Sequence, residues 1–260
     1  MQQATDFLEE SEVLFSLLEN LRDADFKRVT QFKNWTINDI LVHLHFWNLG
    51  ADMALGDPDS FTTLFEALYD ALIAGKLRDH ENAKIAERGK TLLKIWIEYT
   101  RDMGTRWQMV DPKTRVKWAG PDMSARTSMS ARQMEVWAHG QAIFDILGEE
   151  RREADRLKNI TMLGVNAFGW SHKVHGLEIP EHMPHVQLTS PSGEIWQFGD
   201  GKDKVIGTAA EFCQVVTQTR NVADTGLKVS GSAAETWMTY AQCFAGPPEK
   251  PPAPGMRYKI

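Results

Sequence analysis

The sequence predicts an α+β protein: a helical bundle first, then a small mixed domain. Three observations carry this. Up to about residue 148, apolar residues recur mostly with the helical period. A charge cluster, E-E-R-R-E-A-D-R-L-K at 149–158, then interrupts the pattern and marks a boundary. After Pro184 the period changes to alternation, the mark of half-buried strands. The expected division is 1–152 for the bundle, 153–246 for a helix plus a small α+β domain, and 247–260 for a Pro-rich tail.

Residues 4–23 read as an amphipathic helix with Leu8, Phe15, Leu18 and Leu21 on one face. Thr36 is an N-cap, and Asp39 three residues on completes a variant capping box. Ile40, Leu44 and Trp47 mark the buried stripe of the helix that follows. Gly56-Asp57-Pro58-Asp59 breaks the pattern before Phe61, Leu64, Phe65, Leu68 and Leu72 resume it. His80 falls in a charged connection and is expected in solvent. One long helix is expected from about Asn82 to Met109, ended by Asp111-Pro112. V-K-W-A-G-P-D-M-S (116–124) reads as a loop because Gly120-Pro121 is a firm break.

The next helix runs from near Ser128 to Gly148, which suits the position just past a helix end. Residues 160–176 read as one more helix, with His172 and His175 at a surface or an interface. The strands H-V-Q-L-T and E-I-W-Q-F flank Ser190-Pro191-Ser192-Gly193, a hairpin signal. V-I-G-T and L-K-V-S-G are further strands. Thr208 and Ser232 are expected caps of the last two helices.

Composition excludes several function classes. A net charge of −6 and a pI near 5.8 argue against nucleic-acid binding. No apolar run approaches the ~18 residues of a membrane span. The N-terminus is acidic and amphipathic, unlike a signal peptide. Cys213 and Cys243 lack metal or disulfide spacing and fit a reducing cytoplasm. The expectation is a soluble cytoplasmic protein acting on a small molecule.

Chemistry-bearing residues concentrate in Ser128–Gly148. Ala131, Glu135, Ala138, His139, Ala142 and Ile146 share one stripe. An unpaired charge in such a stripe is costly, and metal coordination offsets the cost. Glu135 and His139, four apart, lie one turn apart on one helix face and can grip a divalent cation. The spacing alone is weak: with 35 acids and 8 histidines, about one such pair arises by chance. The sequence holds four: Asp39–His43, Glu135–His139, Glu178–His182 and Glu181–His185. Pro180 and Pro184 deny the last two a continuous helix. A third ligand must come from elsewhere, and His43 is the best candidate. It lies one step from its helix's buried stripe, whereas His45 points about 200° away.

W-T-I-N-D-I-L-V-H-L (35–44), M-E-V-W-A-H-G (134–140) and the terminal α+β segment together resemble the mycothiol-dependent maleylpyruvate isomerase family, within the DinB-like metalloprotein superfamily. The resemblance spans nearly the whole chain. It implies a DinB-like four-helix bundle followed by a sterol-carrier-like α+β domain. It also implies a divalent metal, usually zinc, at His43, Glu135 and His139, and a low-molecular-weight thiol such as mycothiol as cofactor. The family commonly has an acid three residues after the second His. Here that position is Ala142, a lost charge in the pocket that argues against direct transfer of the maleylpyruvate reaction.

Three protein ligands with one open position are the pattern of a catalytic site. A thiol-dependent isomerase or S-transferase for a small unsaturated acid or acyl substrate is the first reading. Arg88, Arg126 and Arg132 are its candidate carboxylate clamps. A metal–water hydrolase or hydratase, or a non-catalytic metal-binding accessory protein, uses the same residues.

Overall fold

The computed structural model describes residues 1–118 and 120–260. The chain divides into two compact units, Met1–Ile146 and Leu147–Ile260. The break falls a few residues before the expected 152.

In the first unit, α1 (Gln2–Leu18), α2 (Ile37–Gly56), α5 (Gly89–Gln108) and α6 (Ala125–Leu147) form the bundle. Helix α1 packs on α5, and α5 on α2. Helices α2 and α6 are buried over much of their circumference, which marks them as the central helices. Shorter helices α3 (Pro58–Ile73) and α4 (Leu77–Lys84) pack against α2.

The start of α2 is set locally. The backbone N–H of Asp39 donates to Thr36 Oγ1 at 3.1 Å, and that of Thr36 to Asp39 Oδ2 at 2.8 Å. Just upstream, a bridge pairs Val29 with Thr36, and Lys33 and Asn34 adopt φ of 50° and 57°. This tight turn presents Phe32 and Trp35 at the head of α2.

The long helix expected over 82–109 is two helices. The break is Gly89, at φ +62°. A Cβ there would meet Asp23 Oδ1 at 2.3 Å. The same oxygen accepts from the Lys90 N–H at 2.9 Å, and Asn38 Oδ1 accepts from the Gly89 N–H at 2.8 Å. Contacts distant in sequence therefore decide where α5 begins. His80, expected in a solvated connection, lies within α4, its ring 6.3 Å from Phe46.

The expected loop 116–124 is a hairpin of β1 (Arg115–Trp118) and β2 (Gly120–Ser124). Pro121 is tolerated because a two-stranded ribbon consists only of edges. Ala119, within that segment, lies outside the described residues.

In the second unit, residues 160–176 form two helices, α7 (Leu157–Asn166) and α8 (Phe168–Val174). His172 is buried rather than on a surface, with Nδ1 2.8 Å from the Phe168 carbonyl. Strands β3 (His185–Thr189), β4 (Ile195–Phe198), β5 (Lys204–Thr208) and β6 (Lys228–Ser230) form a sheet in the order β4-β3-β5-β6. β3 and β5 are parallel, and the outer pairs are antiparallel. Val186, Leu188, Trp196, Val205, Phe212 and Trp237 belong to its core, with α9 (Ala209–Val216) and α10 (Ser232–Tyr240). Thr208 and Glu211 make a full capping box on α9. Ser232 does not cap α10. Gly231 is the N-cap, and Asp203 Oδ2 accepts from the Ala233 N–H at 2.8 Å. The Pro-rich tail is tied down: Gln218 Nε2 donates to the Glu249 carbonyl at 3.0 Å and Asn221 Nδ2 to that of Pro252 at 2.8 Å.

Candidate metal centre

His43 projects from the second turn of α2 towards α6, where Glu135 and His139 stand one turn apart. Glu135 Oε2 lies 3.2 Å from His43 Nε2 and 3.0 Å from His139 Nε2. The ligand atoms of all three lie within 4.8 Å of one another. Two ligands held about 2.0–2.1 Å from a tetrahedral ion stand about 3.3 Å apart. The Glu135 separations already match that spacing. Two imidazoles and a carboxylate are also the donor set of a catalytic zinc site. The residues therefore fit a divalent ion.

The ring of His43 is held from behind. Its Nδ1 is 2.9 Å from Glu81 Oε1, and Trp47 Nε1 donates to the same oxygen at 2.8 Å. Glu81 comes from α4 and is 1% exposed. Asn82 places it: its Nδ2 donates to Asp39 Oδ1 at 2.8 Å, pinning α4 to the first turn of α2. A carboxylate on the rear nitrogen of a ligating His fixes the ring's orientation.

Aromatic rings wall the other side. Trp35 stacks on His139 at 5.8 Å and 6°, and Phe32 meets it edge-on at 4.8 Å. The rings of His43 and His139 are 4.7 Å apart. Glu135 and His139 retain 19% and 13% side-chain exposure against 9% for His43. The centre is thus approached from the α6 side.

Electrostatics separate the two histidines. Burial pushes His43 down, but the charge of Glu81 and hydrogen bonds with Glu135 and Glu81 outweigh it and raise its pKa to about 9. Burial holds His139 below its ordinary value, the hydrogen bond with Glu135 notwithstanding. Burial works against Glu135 as a charged group, yet hydrogen bonds with both imidazoles keep it well below the usual carboxylate range.

The family model described as the mycothiol maleylpyruvate isomerase N-terminal domain matches residues 7–144. The chain belongs to this family. Two uncharacterized proteins of Mycobacterium tuberculosis, strains CDC 1551 / Oshkosh and ATCC 25618 / H37Rv, are each 34% identical to it over 245 residues. Those alignments cover 94% of this chain and 95% of each relative. The crystal structure of the mycothiol-dependent maleylpyruvate isomerase matches with a TM-score of 0.53 at 14% identity. That of its histidine-to-alanine mutant matches with a TM-score of 0.55 at 15% identity. Each match covers 88% of this chain and 92% of the other. At such identities the likeness speaks for the fold.

The three arginines lie in different settings. Arg88 is exposed at the N-cap of α5 and donates to the carbonyls of Ile85 and Glu87 and to Asn82 Oδ1. Arg126 is exposed in the first turn of α6. Arg132 alone adjoins the centre, 2% exposed, with Nη2 4.0 Å from Glu135 Oε1.

Sequence reasoning missed Glu81. Its signal was there: Leu77, Glu81 and Ile85 stand four apart, which places an acid on a short apolar stripe. It also missed Phe32, and Trp118, whose ring lies 5.0 Å from the Arg132 guanidinium; local periodicity connects neither to the centre.

Proposed function

We propose that the chain is a metal-dependent, thiol-using isomerase or S-transferase acting on a small unsaturated acid or acyl substrate. His43, Glu135 and His139 would hold the ion, zinc first among the divalent metals. The observation that carries this reading is the convergence of three ligand atoms from two helices within 4.8 Å, with two of the residues partly open to solvent. The solved relatives are named for a thiol cofactor and an unsaturated acid, which supports mycothiol or a similar thiol here.

When bound, a divalent ion supplies Lewis acidity that lowers the pKa of a thiol or water beside it. The protein's own residues do the rest. Glu81 keeps His43 Nε2 aimed inward, and Glu135 spaces the two imidazoles. Trp35 and Phe32 cover part of the His139 ring, and this apolar wall strengthens the charge interactions beside it. A thiol cofactor, when bound, would supply a nucleophilic sulfur for reversible addition to a double bond conjugated to a carbonyl, which would give cis–trans isomerisation if the sulfur leaves again and S-transfer if the adjacent carbon takes a proton instead.

Ala142 is buried one turn beyond His139 and carries no charge. This supports a substrate other than maleylpyruvate itself.

Elemental analysis of the purified protein tests the reading. About one divalent ion per chain is expected, and none in His139→Ala. Isomerisation of a cis-configured unsaturated 2-oxo acid should then require added thiol. A metal-free wild type overturns the metal, and full turnover without thiol transfers the reaction to water.

A further inference from the structure

Arg132 is the buried group that the metal chemistry leaves unexplained. Its Nε and Nη1 have no hydrogen-bond partner among the described residues, although the residue is 2% exposed. Buried donors in folded proteins are nearly always paired, so an orphaned guanidinium calls for a partner. Glu135 does not supply it: its nearer oxygen is 4.0 Å away, beyond hydrogen-bond range, and its other oxygen is engaged by both imidazoles. The guanidinium lies 5.0 Å over the ring of Trp118, at the end of β1. Trp118 is itself seated against Trp47 at 5.4 Å and Phe61 at 6.2 Å. One face of the fork is thus covered by an aromatic ring, while two of its buried donor nitrogens stay unpaired among the described residues.

Charge balance points the same way. Around the centre, Glu81 and Glu135 supply two negative charges, and a divalent ion, when bound, would add two positive charges to the one on Arg132. One positive charge remains for an incoming anion to neutralise. Arg132 lies one turn before Glu135 on α6, the helix from which the centre is open.

We infer that Arg132, covered by Trp118, is the anion subsite of this centre and receives the carboxylate of the substrate. The inference deepens the proposed function and rests on it for the position of the ion. It makes an ionised acid, rather than a neutral acyl compound, the substrate class.

Calorimetric titration of the full chain, zinc-loaded and metal-free, tests this with maleate and with the uncharged diamide of the same shape. Maleate should bind the zinc-loaded protein at least about tenfold tighter than the diamide. Arg132→Gln should weaken maleate about tenfold or more, leave the diamide unchanged and leave zinc affinity within about threefold. Arg132→Lys, a charge without the fork, should fall between. Should Arg132→Gln not fold, Trp118→Leu should weaken maleate severalfold while zinc still binds. Maleate binding no tighter than the diamide, or unaffected in a folded Arg132 or Trp118 variant, overturns the subsite. If zinc fails to bind but maleate still depends on Arg132, the subsite stands and the metal reading falls.

Discussion

The Nδ1 of His43 and the Oε1 of Glu81 lie 2.9 Å apart in the interior of the first unit, and Trp47 donates to the same oxygen. Two donors thus converge on one carboxylate behind the centre. Its work is to hold one ring still.

Replacing Glu81 should therefore damage metal binding without removing a ligand. Glu81→Ala is expected to weaken zinc affinity about 10- to 100-fold. It also strands the Trp47 N–H and the His43 N–H in a dry site, at a cost of about 1–3 kcal/mol each. Competition with a chromophoric chelator reads the first effect, and chemical denaturation the second. Glu81→Gln, which keeps an acceptor oxygen, should lose less of both.

Metal uptake should release a proton. In the metal-free protein both ring nitrogens of His43 face carboxylates, and its pKa is raised from 6.5 to about 9. The imidazolium persists up to that pH, so its ion pairs stabilise the fold fully below 6.5 and are lost as pH rises through about 9. Zinc must displace the Nε2 proton across this window. Affinity should climb with pH, by up to about tenfold per unit, and level off above it. His139, held below its ordinary value, adds no proton there. Calorimetry in buffers of different ionisation enthalpy counts the protons directly.

The two cysteines should differ sharply in reactivity. Burial pushes the Cys213 thiol up to about 12. Its thiolate is thus scarce at pH 8, whereas Cys243 is only partly buried. A maleimide reagent should label Cys243 in the native chain and reach Cys213 only after denaturation, which mass spectrometry can follow. Between pH 9 and about 12 the unfolded thiol ionises while the folded one does not, so stability falls with rising pH in that range.

Gly89→Ala should be costly for a residue so far from the chemistry. The position is at φ +62°, and an added Cβ would meet Asp23 Oδ1 at 2.3 Å. A loss of about 1–3 kcal/mol is expected from urea unfolding. Asp23→Ala in the same background should recover only the steric part.

Residues that act over one or two turns were legible in the sequence. Thr36 with Asp39 and Thr208 with Glu211 cap their helices as spacing alone requires, since a capping box involves four consecutive residues. Glu135 and His139 share a face for the same reason. His43 is the best candidate to join them because it lies one step from the buried stripe of its helix. What stayed hidden depends on distant partners. Helix α5 begins where it does because Asp23 and Asn38 hold the backbone at Gly89 and Lys90. Helix α10 is capped from β5's approach by Asp203 rather than by Ser232. Trp118 lies in a segment punctuated like a loop, and its value comes from Trp47 and Phe61 on other elements.

One oxygen of Glu135 gathers both imidazoles by itself. The candidate ligands are thus tied to one another by side-chain contacts as well as by the two helices that carry them. Chelators should strip such a centre without unravelling the helices around it, the reverse of a zinc finger. A scaffold of this kind can exchange one cation for another while its architecture stays the same.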